Sequence, residues 1–371
     1  MSALFHGRCS SCGNLLGGVS FSLPNFHSQL KALRRGITIA LRSPRFYTSQ
    51  IGFGKVFKAF WGLRGYHPYM FSYRHAFHAG NHADVIKHLT LIATLQHLQQ
   101  KEGGITIIDT HAGAGLYRLD GDYSETGGEA QDGIFKLLSQ LDEAAAQKDA
   151  KPIPEALQAY LDMIASFNPN GQAKFYPGSP FTLHAMLRKD ARDKLRLFEL
   201  HPTDSKALAS NVAQLDAGRS IMIAREDGFE SLKKMLPPPP SATGSKRAMV
   251  LMDPSYEIKS DYSKVVANIQ DCLKRFATGT YLVWYPIIPR PEAHDLPKRL
   301  RTLSNRAQKP WINLTLSIGR NTDGSTAGLA ASGMFVVNAP FTLKDKLREA
   351  MEVVGPALAR GTGHSWAVEH S

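Results

Sequence analysis

Carboxylates recur along this chain beside glycines and aromatics, at spacings that suit capture of a nucleotide-like ligand. Asp109-Thr-His-Ala-Gly-Ala-Gly115 sets an acid ahead of two glycines. Gly113 and Gly115 let the backbone approach a ligand closely. Neither a full G-x-G-x-x-G nor a G-K-[ST] follows, so a phosphate-cradling loop is disfavoured. Glu199 is a second acid; at the end of a strand such a carboxylate can accept both hydroxyls of a ribose. In dinucleotide folds that acid lies about 20 residues beyond the glycine turn, whereas Glu199 lies 90 beyond Asp109. Asp227-Gly-Phe229 offers a third acid, suited to an adenine amine with Phe229 packed nearby. Taken singly, each has a bland reading: a tight turn, a surface glutamate, a common Asp-Gly turn.

Asp253-Pro-Ser-Tyr256 is the most informative motif. It resembles the Asp/Asn-Pro-Pro-Tyr/Phe loop of methyltransferases that act on amines conjugated to rings. Such an amine is a poor nucleophile because its lone pair is delocalised into the ring. Acceptors on both N–H bonds, here the Asp253 carboxylate and the Pro254 carbonyl, favour a pyramidal nitrogen whose lone pair is free to attack. Tyr256 offers a face on which a base can stack. Ser255 stands where the second proline usually does, which removes a rigid φ but keeps the Pro254 carbonyl. Asn338-Ala-Pro-Phe341 looks like a second copy; it follows the last predicted strand, away from the acceptor site, and reads as a structural turn. A rival from another enzyme class, metal-dependent phosphoester hydrolysis, comes from His75, His78, His82, His88 and Asp84. Gly80-Asn-His82 resembles metallophosphatase loops. That chemistry needs Asp-x-His and Gly-Asp-x-x-Asp motifs downstream; Asp109-Thr-His111 supplies one and the rest is missing, so no metal is expected.

Residues so far apart need a scaffold that gathers strand ends. Short apolar, β-branched runs at 105–109, 195–199, 220–224, 248–253, 279–285, 311–318 and 333–338 predict seven strands. Helical patterns separate most of them, which predicts βαβ units and a Rossmann-like α/β domain. Asp109, Glu199 and Asp253 end three of the first four predicted strands. Ligands bind at the carboxyl ends of strands in open α/β sheets, and three carboxylates there are hard to explain as packing. About 85 residues separate the first two strands, far more than one crossover needs. Within them Ile134, Leu137, Leu138 and Leu141 share a helical face, as do Leu157, Tyr160, Leu161 and Ile164. The spacing predicts a small helical insertion over 124–178. Residues 237–245, rich in Pro and Ser, form a loop before the fourth strand.

The chain has 371 residues, 43% of them hydrophobic, and a formal net charge of +12. Such a charge suggests a nucleic-acid partner. Nine basic residues and no acid lie in 1–69, however, which leaves +3 for the rest. RNA contact must therefore rest on local patches. Cys9, Cys12 and Cys272 cannot form a disulfide framework, and Cys9-x-x-Cys12 has no second pair. No apolar run approaches the roughly 18 residues of a membrane span. Residues 1–69 are Arg-rich and Ser-rich with no stable period, like an organellar transit peptide, or lie upstream of a true start at Met70. Neither reading gives this leader chemistry.

With these motifs in order, residues 70–371 resemble the ribosomal RNA large subunit methyltransferase J family, which makes N6-methyladenine in bacterial 23S rRNA. The resemblance also rests on Tyr176-Pro-Gly-Ser-Pro180, Glu199-Leu-His-Pro202, Ala277-Thr-Gly279, Trp284-Tyr-Pro286, Ala331-Ser-Gly-Met334 and Gly361-Thr-Gly-His364. It implies a Rossmann-like class I methyltransferase fold: a seven-stranded mixed sheet with a small helical insertion. It also implies S-adenosylmethionine as cofactor and 23S rRNA as partner. Residue by residue, it implies cofactor contacts at Lys87, His88, His111, Ser179, Glu199, Asp227, Gly228 and Asp253. Asp253 would also hold the target amine and accept its proton, beside Pro254 and Tyr256. Tyr73 and His75 would close over the cofactor and the target base. For each histidine a packing or surface role stays open. An adenine N6-methyltransferase acting on DNA or another RNA would share the acceptor chemistry; a DNA enzyme would usually add a separate recognition domain, and none is evident. A non-catalytic RNA-binding module would not need three strand-end carboxylates. The chain is expected to act as a monomer, off the membrane, in the cytoplasm if bacterial or in an organelle if the leader is a transit peptide.

Overall fold

The computed structural model describes residues 78–120, 129–320 and 328–371. All of them fall in one unit, Tyr69–Ser371. The leader 1–69 and the motif residues Tyr73 and His75 lie outside the described residues.

Helix α1 (His82–Leu98) begins where the Asn81 side chain accepts the Asp84 amide at 2.9 Å. Twelve of its 17 residues are buried, so it is a core helix rather than a surface one. Strand β1 (Thr106–Asp109) leads to β2 (Leu116–Arg118), then helices α2 (Ile134–Ala145) and α3 (Glu155–Ser166), then β3 (Phe175–Pro177), which pairs with β2. Next come α4 (Ser179–Ala185), β4 (Lys194–Phe198), α5 (Pro202–Val212), β5 (Ile221–Ala224), α6 (Gly228–Met235) and β6 (Ala248–Met252). The chain continues through α7 (Ser260–Arg275), β7 (Thr280–Pro286), α8 (Pro291–Arg306), β8 (Trp311–Ser317), β9 (Ala331–Val337), α9 (Leu343–Leu358) and β10 (Ser365–His370).

Eight strands form one mixed sheet in the order β10-β8-β9-β7-β6-β1-β4-β5. The five on the β5 side run parallel and the last three antiparallel. Successive residues of β1 face opposite ways: Ile107 joins a core with α1, α5 and α9, and Ile108 joins one with α6, α7 and α8. Every residue of β6 is buried, as a central strand covered on both faces requires. Helix α7 buries Tyr262, Val265, Val266, Ile269, Cys272 and Leu273 at helical spacing and turns Lys264 and Lys274 outward.

This is the Rossmann-like sheet expected, and all seven predicted strands are present with ends shifted by up to two residues. The sheet has eight strands rather than seven. The added strand β10 is a short, mostly exposed edge whose pairing with β8 is settled by tertiary placement. Its Trp366 packs where Gly355 leaves room in α9; a Cβ there would come within 2.2 Å of the indole. From β1 the chain goes to the β4–β5 side, then returns to β6 on the other. That reversal opens a crevice beyond the carboxyl ends of β1 and β6.

Because α1 is packed on almost all sides, its core positions should tolerate truncation poorly. Leu89, fully buried, is the cleanest probe. Leu89→Ala should cost about 2–5 kcal/mol, read as a lower urea midpoint with an unchanged slope.

Candidate active site

The carboxyl edge of the sheet gathers the acids. Asp109, last residue of β1, is fully buried. One oxygen accepts the Ser179 hydroxyl at 2.6 Å and the other the His111 amide at 3.2 Å. Burial holds its carboxyl up at about 7; the nearby Asp253 charge adds to the rise, and the Ser179 hydrogen bond opposes it. The glycine turn follows at once. Gly113 has φ +59°, and a Cβ there would come within 2.6 Å of the Tyr117 hydroxyl, so a larger residue would be strained and would have to displace that hydroxyl. Glu199, just past β4, is buried; its two oxygens accept the Gly113 amide at 2.7 Å and the His201 amide at 2.8 Å. It therefore orders the turn, while lone pairs remain for ligand hydroxyls.

Asp227 caps α6, accepting the Phe229 amide at 2.8 Å and the Glu230 amide at 3.4 Å. Gly228 is required by close approach: a Cβ would come within 2.0 Å of the Thr110 carbonyl oxygen, which pins α6 against the β1 loop. The His111 ring meets Phe229 edge-on at 4.8 Å and bonds to the Thr110 hydroxyl at 2.8 Å. Burial depresses the His111 imidazole to about 4, against the pull of Asp227, so it is neutral near pH 7. His88 is more enclosed. Its Nδ1 bonds to the Tyr176 hydroxyl at 2.9 Å, burial lowers it to about 3, and its Nε2 has no hydrogen-bond partner among the described residues.

Asp253 follows β6, beside β1. Its Oδ2 accepts from Lys87 Nζ at 2.6 Å, and the same ammonium lies 2.7 Å from Asp84 Oδ1. Burial alone would push Lys87 down; the two carboxylates more than offset it and hold the ammonium above its ordinary range. Lys87, assigned to the cofactor by resemblance, thus contacts Asp253 and Asp84 directly. Pro254 is buried and Ser255 exposed. Tyr256 departs from expectation. Its ring is 2% exposed, packed against Tyr262 at 4.6 Å and Trp284 at 6.0 Å, and its hydroxyl donates to the Trp284 carbonyl at 2.7 Å. A ring so enclosed presents no face for a base; it braces the loop instead. Its φ of +55° lies in the left-handed region, which a non-glycine residue holds only when its surroundings enforce it. Asn338 lies at the opposite edge of the sheet, bonded to the Gly279 carbonyl at 3.1 Å.

Sequence reasoning weighed Asp84 only as a metal ligand and passed over Arg290, whose guanidinium donates to the Tyr256 carbonyl at 3.2 Å. It gave no role to Leu200 within Glu199-Leu-His-Pro202, although Leu200 is 58% exposed beside Glu199. Only the Asn81-x-x-Asp84 capping spacing hinted at the first; nothing local marked the other two. Among the described residues no group of three or more His, Cys, Asp or Glu could hold a metal ion, and no helix is long and apolar enough to cross a membrane.

The residues present fit S-adenosylmethionine. Glu199 suits the ribose, the capped start of α6 suits the adenine, and the orphaned His88 Nε2 awaits a polar group. Asp109 yields a pH test. Its carboxyl titrates near 3.8 when exposed and near 7 here, so the folded chain keeps a proton that the unfolded chain releases. Its stability contribution is therefore present at low pH and lost as pH rises through about 4 to 7. Asp109→Asn removes that slope. Urea titrations at about pH 5 and about pH 8 should show the variant gaining on wild type at the higher pH.

A family model described as ribosomal RNA large subunit methyltransferase D, RlmJ, matches residues 102–370. Ribosomal RNA large subunit methyltransferase J of Haemophilus influenzae is 38% identical over 302 residues, 81% of this chain and 98% of that protein. The protein of the same name from Escherichia coli is 37% identical over 303 residues, 81% of this chain and 99% of that one. A crystal structure of a Legionella pneumophila protein superposes with a TM-score of 0.66 at 29% identity, covering 79% of this chain and 98% of that one. The chain belongs to the RlmJ family of ribosomal RNA large subunit methyltransferases, whose methyl donor is S-adenosylmethionine.

Proposed function

We propose that the chain methylates the N6 amine of an adenine in large-subunit (23S) ribosomal RNA, working as a single chain. What carries this reading is Asp253: a carboxylate in an Asp-Pro-Ser-Tyr loop at the strand-order reversal, clamped on one oxygen by Lys87. The names of the two curated relatives support the RNA target.

When bound, the cofactor supplies an electrophilic methyl group on a sulfonium. Glu199 accepts ribose hydroxyls, and Asp227 with Gly228 receives the adenine end. His88, His111 and Ser179 complete the cofactor contacts. An adenine stacked in a duplex cannot enter a crevice at the strand ends, so the target base is unpaired or flipped out. Asp253 Oδ1, the oxygen opposite Lys87, accepts one N6–H and the Pro254 carbonyl accepts the other, which aims the nitrogen lone pair at the methyl. The Asp253 carboxylate would receive the proton that the amine gives up on methylation. Tyr256 and Arg290 hold the loop in place. Family resemblance assigns Tyr73 and His75 to closing over cofactor and base. Of the proposed insertion 124–178, residues 129–178 are described; they carry α2 and α3, and α3 packs against α1. Residues 1–69 carry none of these motifs, which all lie at or beyond Met70.

Single-turnover transfer of labelled methyl to rRNA tests the acceptor loop. Asp253→Ala should lower the rate by about 10²–10³, the scale of one lost preorganised contact, and Asp253→Asn should fall between it and wild type. A wild-type rate in folded, cofactor-bound Asp253→Ala would remove this loop from the reaction. Calorimetric titration tests the cofactor half. Glu199→Ala gives up charge-assisted hydrogen bonds worth roughly 1.5–3 kcal/mol each, so affinity for S-adenosylmethionine should fall about tenfold or more. Unchanged affinity would take Glu199 out of the site.

A further inference from the structure

Asp84 has no part in the scheme above, yet it sits beside the acceptor acid. Its Oδ1 lies 2.7 Å from Lys87 Nζ, and that nitrogen lies 2.6 Å from Asp253 Oδ2. All three side chains are less than a fifth exposed. The other Asp84 oxygen accepts the Gly80 amide at 2.9 Å, and the Asp84 amide is held by Asn81. Asp84 is thus fixed at the first turn of α1, while Lys87 reaches across from the second turn to the loop after β6. Two carboxylates share one ammonium. Lys87 keeps Asp84 below the ordinary carboxylate range even though burial works the other way. Among the described residues, the charge of Asp253 raises Asp109, the buried Tyr117, Tyr160 and Tyr176 hydroxyls feel the charge of Asp84, His88 is neutral near pH 7, and the Trp284 ring lies 5.9 Å from Lys87 Nζ.

We propose that Asp84 is a positioning residue for methyl transfer. It holds the Lys87 ammonium so that it clamps Asp253 Oδ2 and leaves Oδ1 to the target amine. Without Asp84, Lys87 would pair with Asp253 alone and pull it off line. This inference rests on the reading of Asp253 as the amine acceptor.

Asp84→Asn preserves shape and an acceptor for the Gly80 amide. With the full chain, saturating S-adenosylmethionine and an rRNA substrate, single-turnover transfer should slow about tenfold, within the range of coupled neighbours. Cofactor affinity should stay near wild type, and the variant should remain folded at the assay temperature. In a Lys87→Met background, Asp84→Asn should add no further loss, since its effect passes through Lys87. Asp84→Glu, which keeps the charge, should restore the rate to near wild type. Equal losses in both backgrounds, a wild-type rate in Asp84→Asn, or no rescue by Asp84→Glu would overturn the proposal. Asp253→Ala measured alongside separates the two readings. If it reacts at the wild-type rate, the acceptor assignment itself fails. If it is slowed while Asp84→Asn is not, only the role of Asp84 fails.

Discussion

One ammonium shared by two carboxylates ties this structure together. Lys87 belongs to α1, Asp253 to the loop after β6, and 166 residues of chain lie between them. Burying a single charge at that depth would be strongly unfavourable. Burying three in a chain, with Asp84 tied to the Gly80 amide and Lys87 bonded at both ends, leaves little unsatisfied. The arrangement holds only if α1 lies against the sheet where β6 ends. The apolar packing of α1 therefore serves the charges, since it fixes where Lys87 can reach.

The Asp253–Tyr256 loop depends on the same constraint from its other side. Asp253 is held by Lys87, the Tyr256 hydroxyl by the Trp284 carbonyl, and the Tyr256 carbonyl by Arg290. These tethers come from α1, β7 and the residue before α8. Together they enforce the left-handed backbone at Tyr256, which costs energy wherever a side chain is present. Ser255, where a proline would stiffen the turn, is exposed and free of that duty. The loop takes its rigidity from its neighbours rather than from its own residues.

Strand order does the remaining work. β1 and β6 are adjacent, so Asp109 and Asp253 approach at the crevice, and the charge of Asp253 adds to the rise that burial imposes on Asp109. β4 on the other flank brings Glu199 to the glycine turn. A methyl donor and a target amine must meet within a few ångströms, and the reversal between β1 and β6 is where the fold can present both.

Much of this was legible in the residues. Apolar periodicity predicted seven of the eight sheet strands, because buried parallel strands read as continuous apolar runs wherever they lie. The acids at strand ends and the Asp-Pro-Ser-Tyr motif marked the site, because their chemistry is local to each loop. Strand β10 was missed, since an exposed edge carries a weak pattern and its partner lies about 50 residues earlier in the chain. The part of Asp84 was missed because nothing local links residue 84 to residue 253; only the packing of α1 does. Tyr256 was misjudged for the same reason. The motif announces an aromatic, but whether its ring faces a ligand or a neighbouring helix depends on α7 and β7, which tertiary structure alone brings against it.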